Sequence, residues 1–277
     1  MLEIGSRALI MGIVNVTPDS FSDGGQHCTT DAAVAHALQL VRDGADLLDI
    51  GGESSRPGAE PVSLDEELRR VIPVVEQLAK ATPVPISVDT VKPEVARQAL
   101  ASGACIINDI TALQDREMAA VVREFGAGVI LMHMQGTPQT MQTNPNYRDV
   151  AADVGAFLER RMQSLVQQGI AVETIALDPG IGFGKTHEHT LEQIRRLQEF
   201  QRFGRPVCLG VSRKGFIGII TGRPRNGRTV GSVAVACHAL AHGAAQIIRV
   251  HDVAEHRDAV RVFAALAQPN KAMPHSS

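Results

Sequence analysis

Short apolar runs alternate with longer amphipathic segments from one end of the chain to the other. The runs cover residues 8–14, 46–51, 84–89, 104–109, 127–133, 174–178, 206–211 and 245–250. Each is apolar at nearly every position, as a strand covered on both faces must be, and together they predict eight buried strands. Helical periodicity predicts helices over 31–43, where Val34, Leu38 and Val41 share a face, and over 64–80, 93–102, 148–168, 188–203 and 229–243. Ser63 with Glu66 has the form of a capping box, Pro93 suits a first turn, and Asp252 has the type of an N-cap for a last helix. No linker rich in Pro or Gly interrupts the alternation. The expectation is α/β: a single (β/α)8 TIM barrel over residues 1–277, with its core at about 8–267 and a short tail at 268–277. An open doubly wound sheet fits less well, because it needs fewer strands and a Gly-rich first turn.

Composition narrows the function classes. The net charge is −3, aromatic residues make up 3% and Trp is absent, so neither a basic stripe nor a stacking platform for nucleic acid is present. No apolar stretch is long enough to span a bilayer, and the run at 8–14 lacks a cleavage site, so a cytoplasmic protein is expected. Cys28, Cys105, Cys208 and Cys237 form no C-x-x-C pair. They read as small buried hydrophobes, and no Cys/His spacing fits zinc.

In a barrel the working face is where the strands end. The strands end in Asn15, in Gly51–Gly58, in Asp89-Thr90, Asn108-Asp109, Met132-His133-Met134 and Asp178-Pro179-Gly180, in Ser212-Arg213-Lys214, and in Arg249-Val250-His251. All eight ends are polar, and one mouth would gather them. Asp89, Asn108 and Asp178 supply acceptors and an amide for a planar heterocycle bearing N–H donors, and Lys214 can donate to its ring nitrogen or carbonyl. Asn15, Arg249 and His251 suit an oxyanion such as diphosphate. The amide oxygen of Asn15 can also ligate Mg2+. The polar loop Asn15–Gly25 follows the first strand. Gly180–Thr186 mimics the tail of a phosphate-binding loop, but Pro179 stands where that motif needs Gly. His187 and His189 flank Glu188 at a helix start, and they read as surface rather than metal ligands.

The blocks Asn15–Gly25, Gly51–Gly58, Ser87–Thr90, Asn108–Asp109, Asp178–Lys185, Ser212–Lys214 and Arg249–His251 resemble, in order and spacing, those of the dihydropteroate synthase family. The resemblance implies a TIM barrel that joins 6-hydroxymethyl-7,8-dihydropterin diphosphate to p-aminobenzoate and releases diphosphate. It implies a pterin site of Asp89, Asn108, Met132, Asp178 and Lys214, and a diphosphate site of Asn15, Arg249 and His251 with Mg2+ on Asn15. Phe21, Ser55, Arg56, Pro57, Phe183, Lys214 and Gly215 would border p-aminobenzoate. Asp89, Lys214, Arg249 and Asp23 would carry the chemistry, with Phe21 and Asp23 on the first loop. The implied mechanism is dissociative, and the implied assembly is a homodimer with small-molecule partners only, sulfonamides among its inhibitors. Two positions depart from the family pattern: Ser55 replaces a usual Thr, and Gly215 replaces Ser or Arg. A pterin-binding methyltransferase domain would lack the first-loop motif and the diphosphate set. An inactive regulatory paralogue would have lost part of one or the other.

Overall fold

A computed structural model describes residues 7–17 and 26–267. Eight parallel strands run β1 (Leu9–Asn15), β2 (Leu47–Gly51), β3 (Ile86–Asp89), β4 (Ile106–Asp109), β5 (Gly128–Met132), β6 (Ile175–Asp178), β7 (Cys208–Leu209) and β8 (Ile247–Val250). The sheet order is β6-β5-β4-β3-β2-β1-β8-β7. A lone parallel bridge, Leu177 to Val207, joins the two ends, with the Leu177 N–H donating to Pro206 O at 2.8 Å. The expected barrel is therefore present, closed on one side by a single bridge. The strand expected at 206–211 shrinks to two residues. Pro206 has no N–H to donate, and past Gly210 the chain turns into a left-handed residue, Arg213 (φ 55°).

Helices α1 (Gln26–Arg42), α2 (Leu64–Ala81), α3 (Pro93–Ala101), α4 (Arg116–Phe125), α5 (Val150–Gln167), α6 (His187–Arg195), α7 (Gly215–Thr221), α8 (Thr229–Ala241) and α9 (Val253–Ala267) flank the strands. The periodicity reading missed α4 and α7, which are short. α4 still carries its own signals, an Asp115 side-chain cap on Glu117 N and a left-handed Gly126 at its end. The helix expected over 188–203 breaks at Arg196 and continues as a 3-10 segment, Leu197–Phe203. At the start of α2 only half of the expected capping box forms. Ser63 Oγ accepts from Glu66 N at 3.3 Å, while the Glu66 carboxylate turns to Arg69 and Arg70. The Asp252 carboxylate likewise bonds Arg213 and Thr229. No described helix is long and apolar enough to cross a membrane.

Two apolar layers hold this frame. The larger lies between strands and helices and includes Ile10, Leu48, Ile50, Val88, Ile107, Leu131, Leu177 and Ile248. The smaller fills the barrel: Leu9, Met11, Leu47, Ile130, Ala176, Cys208 and Ile247, with Ile106 packed on it. Successive strand residues face opposite sides, so the residue two positions later faces inward again, one step nearer the mouth. From this inner layer that rule leads to Asp49, Asn108, Met132, Asp178 and Arg249, and from buried Ser87 it leads to Asp89. The barrel interior is therefore apolar below and polar above.

Candidate active site

The polar layer floors a cavity of about 680 Å3 at the strand ends. Asn15, Ser55, Arg56, Pro57, Asp89, Asn108, Met132, Asp178, Phe183, Lys214, Gly215, Arg249 and His251 all line it. Phe21 and Asp23 lie outside the described residues. The structure adds Glu53, Ile110, Ile181, Phe216, Arg225 and Arg228 to the wall. A neighbouring chamber of about 530 Å3 shares Asn15, Arg56, Arg213, Arg225 and His251, and its described lining holds no carboxylate.

On the floor, the Arg249 guanidinium joins two carboxylates. Nε donates to Asp49 Oδ2 at 2.6 Å and Nη2 donates to Asp89 Oδ2 at 2.8 Å. Asn108 Nδ2 donates to the same Asp49 oxygen at 3.1 Å. Burial drives the Asp89 carboxyl well above the usual carboxylate range, against the pull of Arg249. Asp178 is also raised by burial, while Gly180 N donates to its Oδ1 at 2.7 Å and Lys214 adds favourable charge. Burial lowers Lys214 to about 8, and its ammonium lies 3.9 Å from the centre of the Phe183 ring. This cation–π contact fixes the direction of the side chain.

His251 accepts or shares a proton with Ser212 Oγ at 2.9 Å. Burial, then Arg249 and the other arginines, lower it to about 3, which favours the neutral imidazole as a hydrogen-bonding group. Positive charge for an anion is therefore supplied by arginines. Lys214 follows Arg213, whose left-handed backbone is braced from three sides. Its N–H donates to Ser232 Oγ at 2.8 Å, its Nε donates to Asp252 at 3.0 Å, and Arg228 Nη1 donates to its carbonyl at 3.3 Å.

Packing against the backbone requires two of the glycines in the loop after β6, Gly180 and Gly184. A Cβ on Gly180 would lie 1.9 Å from His133 O, and one on Gly184 would lie 2.5 Å from Gln135 O. Lys185, buried beneath the loop, donates to Gly180 O at 2.9 Å and Phe183 O at 3.0 Å, and meets His133 Nδ1 at 3.0 Å. His133 thus turns away from the cavity. Asp109 likewise bonds Thr111 and Leu113 and shapes the turn after β4. His189 completes a capping box with Thr186, and among the described residues no group of three His, Cys, Asp or Glu is gathered to hold a metal. Cys105, expected inside, is exposed because it lies before β4 at the far end of the barrel, whereas Cys208 is buried in the inner layer.

The family model described as "Pterin binding enzyme" matches residues 11–251. The chain belongs to this family. The dihydropteroate synthase of Escherichia coli (strain K12) is 49% identical over 268 residues, 96% of this chain and 95% of that one. The solved dihydropteroate synthase of Xanthomonas albilineans with 4-aminobenzoic acid superposes with a TM-score of 0.90 at 49% identity, covering 95% of this chain and 94% of the other. The same organism's enzyme in complex with 7,8-dihydropteroate gives 0.86 at 46% identity, covering 95% of each chain. The pterin binding assignment agrees with a floor made of buried or half-buried acceptors, Asp89, Asn108 and Asp178, beside the half-buried Lys214 ammonium.

Asp49, which bonds both Arg249 and Asn108, is the buried carboxylate that reading the strand ends overlooked. It sits inside β2, not after it. The signal was present, since Asp49 is the one charged residue in the run Leu47–Gly51 and stands on the inward phase with Leu47.

Proposed function

We propose that this chain is a dihydropteroate synthase, joining 6-hydroxymethyl-7,8-dihydropterin diphosphate to p-aminobenzoate and releasing 7,8-dihydropteroate and diphosphate. One observation carries the reading: the heterocycle floor opens directly onto a chamber whose described lining has arginines and no carboxylate. A substrate that is a flat polar ring at one end and a diphosphate at the other matches that division. Asp89, Asn108 and Asp178 take the ring donors, with Met132 against the ring and Lys214 on an acceptor. Asn15, Arg249 and His251 meet the diphosphate. Ser55, Arg56, Pro57, Phe183 and Gly215 border p-aminobenzoate.

In the reaction the bond from the pterin methylene carbon to the diphosphate oxygen breaks, and the electron pair leaves with diphosphate. The dihydropterin ring spreads the resulting positive charge, and the fixed carboxylates Asp89 and Asp178 stabilise it. The amine of p-aminobenzoate then forms the new C–N bond and loses a proton. No side-chain nucleophile is required. Lys214 and Phe183 hold the ring edge and the aromatic acid in line.

The donor set fits Mg2+ as a partner of diphosphate. Asn15 offers one amide oxygen beside the anion chamber, and Mg2+ commonly takes few protein ligands and fills its shell with phosphate oxygens and water. When bound it would neutralise charge on the leaving group. The resemblance also implies a cytoplasmic homodimer. The reading is tested by incubating the purified chain with both substrates and Mg2+ and following dihydropteroate and diphosphate together. Equal release of both products is expected; release of neither overturns it.

A further inference from the structure

Asp49 is fully buried between Leu48 and Ile50, and it does not line the cavity. A buried carboxylate is costly unless its charge is matched and its oxygens are bonded. Asp49 Oδ2 accepts from Arg249 Nε at 2.6 Å and from Asn108 Nδ2 at 3.1 Å. Arg249 continues to Asp89 at 2.8 Å. One oxygen on β2 thereby ties together groups from β4, β8 and β3, all three of which face the ligand. The other oxygen, Oδ1, has no hydrogen-bond partner among the described residues. The whole bonding role of the side chain is thus exercised through Oδ2.

An ionised carboxylate only accepts hydrogen bonds. The Asn108 amide must therefore turn its NH2 toward Asp49, which leaves its carbonyl oxygen for the ligand. Without Asp49 the amide is free to rotate by half a turn and offer a donor instead. The same carboxylate holds Arg249 across the floor, so that among the described residues Asp89 has one oxygen, Oδ2, engaged with protein.

We propose that Asp49 is a positioning residue that sets the hydrogen-bond polarity of the heterocycle pocket, fixing Asn108 as an acceptor and Arg249 beside Asp89. The inference rests on the pterin-site reading above. It assigns a ligand donor opposite Asn108.

The test uses the full chain and a probe without diphosphate, 6-hydroxymethyl-7,8-dihydropterin, so that only the floor is read. In Asp49→Asn, which keeps shape and loses charge, probe affinity by calorimetry should fall about tenfold, while KM for p-aminobenzoate stays within about twofold. Asn108→Ala should cost about as much, and the double variant should cost less than the sum of the two, because both act through one amide. Additive losses, or unchanged affinity in Asp49→Asn, overturn the proposal. A second measurement needs no variant. With 15N-labelled asparagine, the Asn108 side-chain NH2 should remain slow to exchange both without and with the probe, and fast exchange in either state overturns the proposal. Parent turnover of both substrates is scored separately: a parent that is active while Asp49→Asn binds normally removes this inference alone, and an inactive parent removes the reading beneath it.

Discussion

Arg249 on the cavity floor and Arg56 on its rim carry the same guanidinium and are held in opposite ways. Arg249 keeps 20% side-chain exposure and is pinned by two carboxylates on neighbouring strands. Arg56 is exposed, and its only described hydrogen bonds are backbone ones, its N–H to Ser54 Oγ at 3.4 Å and its carbonyl from Ala59. The floor is cross-braced by the protein's own ion pairs and hydrogen bonds. The rim loop leans on its neighbours through a few contacts: Gly58 N to Pro138 O at 2.9 Å, Gln139 to Ala59 O at 2.9 Å, and Lys92 to Glu53 at 2.5 Å. Preorganised dipoles suit charge development on the pterin. A loosely tethered rim suits the entry of p-aminobenzoate under the proposed function.

Breaking the floor should have the largest effects. Arg249→Ala leaves Asp49 and Asp89 without their counter-charge, so stability should drop by about 3–5 kcal/mol and turnover should collapse together. Chemical denaturation and a product assay read the two. Turnover within twofold of the parent would refute the floor assignment. Asp178→Ala should weaken pterin binding by about tenfold or more and leave p-aminobenzoate KM nearly unchanged, by calorimetry and steady-state kinetics.

The pH profile sharpens the comparison next. Under the proposed mechanism, turnover requires Asp89 ionised and Lys214 protonated. Asp89 is raised by burial, so activity should climb nearer neutrality than an ordinary carboxylate allows. Lys214 is lowered to about 8, so kcat/KM should fall above that pH. In Lys214→Arg the alkaline fall should vanish, since Arg stays protonated. An alkaline limb unchanged in that variant would assign it to another group.

Changes at the rim should be smaller. Amides in residues 52–61 should gain hydrogen-exchange protection when diphosphate and Mg2+ are added, and those of β3, β4 and β6 should not. Equal protection of the rim with and without ligand would erase the contrast. The smallest effect concerns sulfonamides, which extend past the outline of p-aminobenzoate. Gly215 is exposed, and a Cβ there would meet nothing within 4 Å, so Gly215→Ser fits without strain. The Ser55→Thr, Gly215→Ser double variant should lower the ratio of sulfonamide inhibition constant to p-aminobenzoate KM by a few-fold. An unchanged ratio would make both departures neutral.

The fold was legible because parallel strands buried on both faces leave continuous apolar runs, and all eight were found. Boundaries failed where a local feature outweighed the pattern, as at Arg196, or where Pro206 and the left-handed Arg213 cut β7 short. The cavity lining was legible where polar residues stand just past a strand. Asp49 escaped because it lies within a run, where only the two-residue phase from Leu47 reveals that it faces in. Lys185 and His133 escaped in the opposite sense. They stand in polar motifs yet serve the loop beneath the site, and only packing around Gly180 and Gly184 shows it.

The lone Leu177–Val207 bridge has a mechanical consequence. β5 and β6 are laddered from Val129–Ile175 to Met132–Asp178, whereas β6 and β7 share one rung. Asp178 ends β6 on one side of that joint, and Lys214 follows β7 on the other. β6 and β7 can therefore part between these two groups at the cost of fewer ladder hydrogen bonds than β5 and β6. Substitutions in the segment from Pro206 to Leu209 are therefore expected to shift the Asp178–Lys214 span more readily than substitutions in β5, where the ladder to β6 is continuous.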